Sequence, residues 1–310
     1  MDICIGGLFL KQSDRHHAGK TSRITEMRSD AMQTINAVDI LRHKPPFRFV
    51  EQVILTSENR AMAMVPANPP ATKWAACPEL SVLPVEYAAQ VMGVLIRSRL
   101  GDTSANGVLA GITEFAWDFM AESLQSVELR HSGTRGAFHD FKADFLNRNS
   151  IVCAQMAGFV HLSPGDGNRK SVHVDVPEDA PIYYVTGFQR DGDQVAMSVT
   201  MRRDCPVYFG HFPDAPLTPG VLIAEMMLQA ACHNRPGMGL RRLSDLVFKS
   251  PLLPGDVAEL KLKEHAPNRF SATLLRGRKR LARAKLELDH VPAATSSLSS
   301  DSFLHKETQP

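Results

Sequence analysis

Gly210-His211-Phe212-Pro213-Asp214-Ala215-Pro216-Leu217-Thr218-Pro219-Gly220-Val221-Leu222-Ile223-Ala224-Glu225, followed four residues on by Gln229, is the stretch on which the reading of this chain turns. It sets a histidine in a proline-braced loop and then offers a Pro-Gly step at which a helix can open. Proline lacks the N–H that a first-turn residue leaves unpaired, and its φ is already helical. A helix starting near Gly220 aims unpaired backbone N–H groups at whatever precedes it. Glu225 and Gln229, at i and i+4, share one helix face. A candidate general base, an oxyanion donor and a carboxylic acid thus lie in one short stretch.

Working outward, residues 219–231 are apolar on nearly every side, the pattern of a buried helix. Strands are expected before it at 182–188 and 194–201, and after it at 240–248, 257–263, 269–275 and 281–288. The same order of elements occurs earlier in the chain. Residues 52–65 read as two strands around a turn at Ser57-Glu58-Asn59, residues 84–96 as an apolar helix ending at Arg97, and 107–119, 125–130, 136–146 and 151–162 as strands. Glu86-x-x-x-Gln90 in the first helix matches Glu225-x-x-x-Gln229 in the second, 139 residues apart, and each follows a helix-opening proline. Leu109-x-Gly111-Ile112-x-x-Phe115 corresponds in place to Leu240-x-Arg242-Leu243-x-x-Leu246. One E-x-x-x-Q is a common accident; its return at an equivalent place indicates a duplicated domain.

The expected organisation is a flexible extension over 1–37, a first and more degenerate repeat over 38–162, a linker over 163–181, a second repeat over 182–290 and a disordered tail over 291–310. The extension is rich in Arg, Ser and His without a period, and Met32 is a second possible start. Its Gly19-Lys20-Thr21 echoes a phosphate-binding loop but lacks that loop's first glycine and leading strand. The linker and tail are polar and turn-rich. At 310 residues with 44% hydrophobic content the chain can bury a substantial core. No apolar run reaches the length of a membrane span. A net charge of +2 gives no electrostatic case for nucleic acid. Five cysteines without C-x-x-C pairing read as reduced thiols of a cytoplasmic protein, and the apolar start of the chain lacks the basic region of a signal peptide.

Residues 210–229 fit every fixed position of G-H-F-P-x-x-P-x-x-P-G-V-L-x-x-E-x-x-x-Q, and in this they resemble the β-hydroxyacyl-acyl-carrier-protein dehydratases of the hotdog superfamily. Asp214 stands where that family usually has glycine. Leu41-Arg42-His43-Lys44-Pro45-Pro46-Phe47-Arg48-Phe49-Val50 is similar to the family's N-terminal L-P-H-R-x-P-F-L-x-V-D signature, yet it lies in the first repeat. The resemblance implies an α+β double hotdog, in which each half is a long central helix wrapped by an antiparallel β-sheet and the halves pack as a pseudo-dimer. It also implies dehydration of a 3-hydroxyacyl thioester, linked to acyl carrier protein or CoA, in fatty-acid, polyketide or polyene assembly.

For that chemistry neutral His211 is the expected base at C2, the Gly220 N–H the donor to the developing enolate oxygen, and a glutamic acid with raised pKa the proton donor to the leaving hydroxyl. In the family the histidine of one hotdog works with the acid on the partner's helix. The resemblance therefore assigns Glu86, oriented by Gln90, to His211, and leaves Glu225 as the second candidate. The loop 68–83 has no histidine, so one working and one vestigial site are expected. His43, His131, His139, His233 and His265 show no metal-ligand spacing, and neither metal nor cofactor is expected.

The most basic run, 276–285, reads as a solvated edge strand protected by charge. Alternatively Arg276, Arg278, Lys279 and Arg280 form a docking surface for an acidic acyl carrier protein, with Arg241-Arg242 as possible contributors. Two other functions stay open: a hotdog acyl-thioesterase, and a non-catalytic double hotdog that binds an acyl chain or scaffolds a synthase.

Overall fold

The structure, a computed structural model, describes residues 32–66, 81–100, 106–118, 124–163, 181–212 and 215–291. The first repeat contains β2 (Gln52–Ser57), β3 (Arg60–Met64), helix α2 (Pro84–Leu100), β4 (Asn106–Trp117), β5 (Leu124–Arg135), β6 (Phe138–Asn147) and β7 (Val152–Ser163). The second contains β8 (Tyr183–Asp191), β9 (Gln194–Met201), a short α3 (Val207–Gly210), helix α4 (Gly220–Cys232), β10 (Met238–Phe248), β11 (Val257–Ala266), β12 (Arg269–Arg276) and β13 (Lys279–His290). Ahead of them stand β1 (Gln33–Asn36) and α1 (Ala37–Ile40). A described strand and helical turn therefore lie at the end of the segment read as a flexible extension. β1 is short, polar and mostly exposed, so no apolar period marks it; it is held by its antiparallel pairing to β2. The rest of that extension, most of the loop 68–83, the interior of the linker, Pro213, Asp214 and the tail beyond 291 lie outside the described residues.

All pairings are antiparallel, and the thirteen strands form one sheet in the order β1-β2-β3-β5-β6-β7-β4-β10-β13-β12-β11-β9-β8. Without β1, the order from either edge inward is the same: first strand, second, fourth, fifth, sixth, third of its repeat. The two copies meet at β4 and β10. There Ile112 faces Leu246 and Phe115 faces Leu243. Since Ile112 matches Leu243 and Phe115 matches Leu246 in the repeated sequence, each residue opposes the counterpart of its neighbour, the signature of an isologous two-fold contact. All four side chains are fully buried. The chain is thus an α+β double hotdog with an internal pseudo-dimer.

Each central helix lies against the sheet of its own repeat, α2 on β2 to β5 and β7, α4 on β10, β11 and β13. In α4 ten residues from Val221 to Ala231 are buried, which leaves no polar face. Each large aliphatic side chain so buried stabilises the fold by roughly 1.5–3 kcal/mol. Pro84 is the first residue of α2, whereas Pro219 is the cap of α4 with extended ψ of 135°. No helix among the described residues is long and apolar enough to cross a membrane.

The basic run does not form an edge. Arg276 ends β12, Lys279 begins β13, and both strands are interior to the sheet; the charges cluster because Gly277, at φ +58°, turns a tight hairpin between them. The true edges are β1 and β8.

Candidate active site

His211 follows the single turn of α3 and closes it, its N–H bonded to Val207 O at 2.8 Å. The loop beyond it is fastened at Thr218, whose hydroxyl meets the Tyr208 hydroxyl at 2.9 Å and whose N–H donates to Leu252 O at 2.8 Å. His211 Nδ1 lies 2.9 Å from Leu217 O. A carbonyl only accepts, so the proton is on Nδ1 and Nε2 keeps its lone pair. Burial, partly offset by this bond, lowers the His211 pKa to about 4. At neutral pH it is an uncharged base.

A segment of the first repeat is stitched to this loop. Lys44 N–H donates to Gly210 O at 2.8 Å, and a Cβ on Gly210 would come within 2.5 Å of Lys44 O and 2.7 Å of Phe47 N. Only glycine permits so close a backbone approach. The same segment is tied to α2 by Gln90, whose Oε1 accepts from Phe49 N at 2.9 Å and Val50 N at 3.3 Å, while its Nε2 donates to Phe47 O at 2.9 Å and Glu86 Oε1 at 3.0 Å. The four bonds fix the orientation of the amide.

Glu86, 4% exposed, has its pKa raised to about 8, chiefly because burial penalises the carboxylate and only secondarily opposed by the Gln90 bond. It is a carboxylic acid at neutral pH. His211 and Gly220 of the second repeat and Glu86 and Gln90 of the first line one cavity of about 50 Å³. The predicted cross-repeat set is therefore brought together. Gly220 opens α4, where the first N–H groups have no intrahelical partner. The Phe248 ring presses on it so closely that a Cβ would lie 2.6 Å away.

Glu225 does not line this cavity. Its Oε2 accepts the Val82 N–H at 3.1 Å, at the entry to α2, and one turn along Gln229 Oε1 accepts the Tyr183 hydroxyl. Burial and then the Glu225 charge hold that hydroxyl protonated. The two matched glutamates thus differ: one faces a cavity with a histidine, the other is bonded to backbone.

Two lining residues were not singled out from the sequence. His43 Nε2 lies 3.7 Å from Glu86 Oε1, beyond hydrogen-bond reach, and its ring centroid is 5.3 Å from that of His211. Burial, then the charges of His211 and Arg97, lower its pKa well below 6.5, so this is a contact between neutral groups. Buried Arg97 donates to Ile40 O at 2.5 Å. His43 lies within the Leu41–Val50 motif, and Arg97 shares a helix face with Glu86, Gln90 and Gly93. Both signals were available.

Of the basic run, Arg276 is engaged with Asp256 at 2.5 Å, while Arg278, Lys279 and Arg280 are exposed. Arg241 donates to Trp117 O at 2.6 Å and Arg242 pairs with Glu114, so these two brace the seam between repeats.

The fold and this cavity define a double hotdog with a histidine and a glutamic acid drawn from different repeats. Residues 188–282 match the profile of the ApeI-like family, described as ApeI dehydratase. The 3-hydroxyacyl-(acyl-carrier-protein) dehydratase FabZ of Rhizobium etli is 33% identical over 84 residues, covering 24% of this chain and 54% of that protein. FabZ of Agrobacterium fabrum is 37% identical over 79 residues, 23% of this chain and 51% of that protein. The chain spans about half the length of the curated relatives it matches. Among solved structures, the dehydratase heterocomplex ApeI:P from Xenorhabdus doucetiae has TM-score 0.32 and 19% identity over 34% of this chain and 96% of that one. The bifunctional dehydratase-cyclase domain in ambruticin biosynthesis has TM-score 0.43 and 11% identity over 80% of this chain and 98% of that one. Residues 188–282 are thus similar to the ApeI-like dehydratases, and part of the chain is similar to FabZ.

Proposed function

We propose that this protein eliminates water from a 3-hydroxyacyl thioester, carried on acyl carrier protein or CoA, to give the trans-2-enoyl thioester. The observation that carries this reading is the pairing, in one cavity, of an uncharged imidazole with a protonated carboxylic acid from the opposite repeat. Elimination needs those two protonation states together.

His211 Nε2 removes the C2 proton, with Nδ1–H anchored on Leu217 O so that the ring is aimed and its tautomer set. An imidazole of lowered pKa is a weak base, and a thioester α-proton is only weakly acidic. The enolate oxygen therefore needs a donor, which the N–H at Gly220 and the positive end of α4 supply. The electron pair forms C2=C3, the C3–O bond breaks, and the hydroxyl takes the Glu86 proton and leaves as water. Glu86 Oε1 accepts from Gln90 Nε2, which fixes the orientation of the acid. Exposed Arg278, Lys279 and Arg280 suit a strongly acidic carrier protein, with Arg276 held back by Asp256.

The test is incubation with a 3-hydroxyacyl thioester while following both conjugated enoyl absorbance and free thiol. Enoyl product without thiol is the expected result. Thiol release would replace the proposal with a thioesterase, and neither signal would leave a binding or scaffolding protein.

A further inference from the structure

Elimination leaves the cavity in the wrong state for a second turnover: His211 has gained a proton and Glu86 has lost one. Both side chains are more than nine-tenths buried, so neither exchanges readily with bulk water. We propose that His43 returns the proton, taking it at Nε2 from His211 and giving it to Glu86. The proposal rests on the dehydratase reading.

His43 is the one titratable side chain in contact with both groups among the described residues lining the cavity: its ring is 5.3 Å from that of His211 by centroids, and its Nε2 is 3.7 Å from Glu86 Oε1.

His43 Nδ1 is buried and makes no hydrogen bond among the described residues. Leaving such an atom unpaired costs roughly 1–3 kcal/mol, which a histidine kept for structure would avoid. The contrast with His211 is direct, since Leu217 O pins the Nδ1 of that ring. The His43 ring packs between the aromatic rings of Phe47 and Phe212. Burial, then His211 and the neighbouring Arg97 guanidinium, disfavour a lasting imidazolium here, so a proton taken up by His43 is passed on.

The balance closes without another reactant. His211 loses the proton gained from C2, Glu86 regains the proton lost to the hydroxyl, and His43 accepts and releases at one nitrogen, ending in the tautomer in which it began. His43 is thus a relay that acts through the base and the acid.

A relay predicts a split between first and later turnovers. With enzyme in excess over a 3-hydroxyacyl thioester, His43→Gln and His43→Ala should form enoyl product within about threefold of the wild-type rate. With substrate in excess their kcat should fall about 100- to 10,000-fold, the range of an assisted proton transfer. Added imidazole should restore much of the His43→Ala loss. Equal losses in both regimes, an unchanged kcat, failure of imidazole rescue, or unfolding of both variants by circular dichroism would each overturn the relay. If the wild-type protein makes no enoyl product, the dehydratase reading falls and the relay with it; wild-type turnover with any of the other outcomes overturns the relay alone.

Discussion

Gln90 and Glu86 are joined by a 3.0 Å hydrogen bond in which the amide donates to Oε1, and the amide is itself held by three backbone atoms of Phe47, Phe49 and Val50. One side chain therefore couples the acid on α2 to the segment that carries His43 and touches the His211 loop. Gln90→Leu keeps similar volume but strands two buried N–H groups, a carbonyl and the acid. Each stranded group costs about 1–3 kcal/mol. We expect loss of at least about 3 kcal/mol of stability in urea titrations, with kcat reduced more than KM is raised, because the acid loses its orientation.

The matched glutamates should respond oppositely to the same change. Glu86→Gln removes the proton donor, and kcat should fall about 100- to 10,000-fold. Glu225→Gln leaves turnover within a few-fold and keeps an acceptor for the Val82 N–H, whereas Glu225→Ala removes it and should cost about 1–3 kcal/mol of stability. Turnover intact in the first and abolished in the second would refute the cross-repeat assignment.

Duplication, helices and most strands were legible because both repeats show period-2 strands around an apolar helix, and because Glu86/Gln90 and Glu225/Gln229 mark the same turn twice. The mirrored strand order was not legible, since sequence does not show which strand seals the seam. β1 was missed because it is short and polar, with Ile35 its one apolar residue and backbone pairing to β2 its main tie. The basic run looked like an edge because charge patterning reports exposure and not position in a sheet; a hairpin tip between interior strands carries the same signature. His43 lay in plain view in its motif, but its closeness to both Glu86 and His211 arises only when the repeats pack. The burial that raises the Glu86 pKa has the same origin.

Activity should follow two ionisations. His211 must be neutral, so kcat/KM should fall as pH drops through about 4, and Glu86 must be protonated, so it should fall as pH rises through about 8. In Glu86→Asp, a shorter acid in the same setting, the alkaline limb should remain, with a lower maximum.

The same groups give a stability profile with defined signs. Glu86 binds a proton more tightly folded than unfolded, so its contribution is complete below 4.5 and lost as pH rises through about 8. His211 and His43 are depressed, so theirs is complete above 6.5 and lost as pH falls below it. From these groups stability should peak near pH 6.5 and drop by about 2 kcal/mol by pH 8. Urea midpoints of wild type and Glu86→Gln at the two pH values test this: the drop should disappear in the variant.

Gly220 offers a test of the oxyanion arrangement that separates packing from chemistry. A Cβ there would stand 2.6 Å from the Phe248 ring, so Gly220→Ala must displace either that ring or the start of α4. Displacing α4 moves the N–H away from the enolate oxygen, and we expect kcat to fall by about 10- to 1000-fold with modest change in KM. Phe248→Leu shortens the obstructing side chain. If the loss arises from the clash, the double variant Gly220→Ala/Phe248→Leu should recover much of the activity that Gly220→Ala loses, although each single change is harmful. Recovery would place the defect in the position of the helix start, because alanine keeps the N–H. Simple addition of the two losses would refute that, since independent sites add while residues in contact couple.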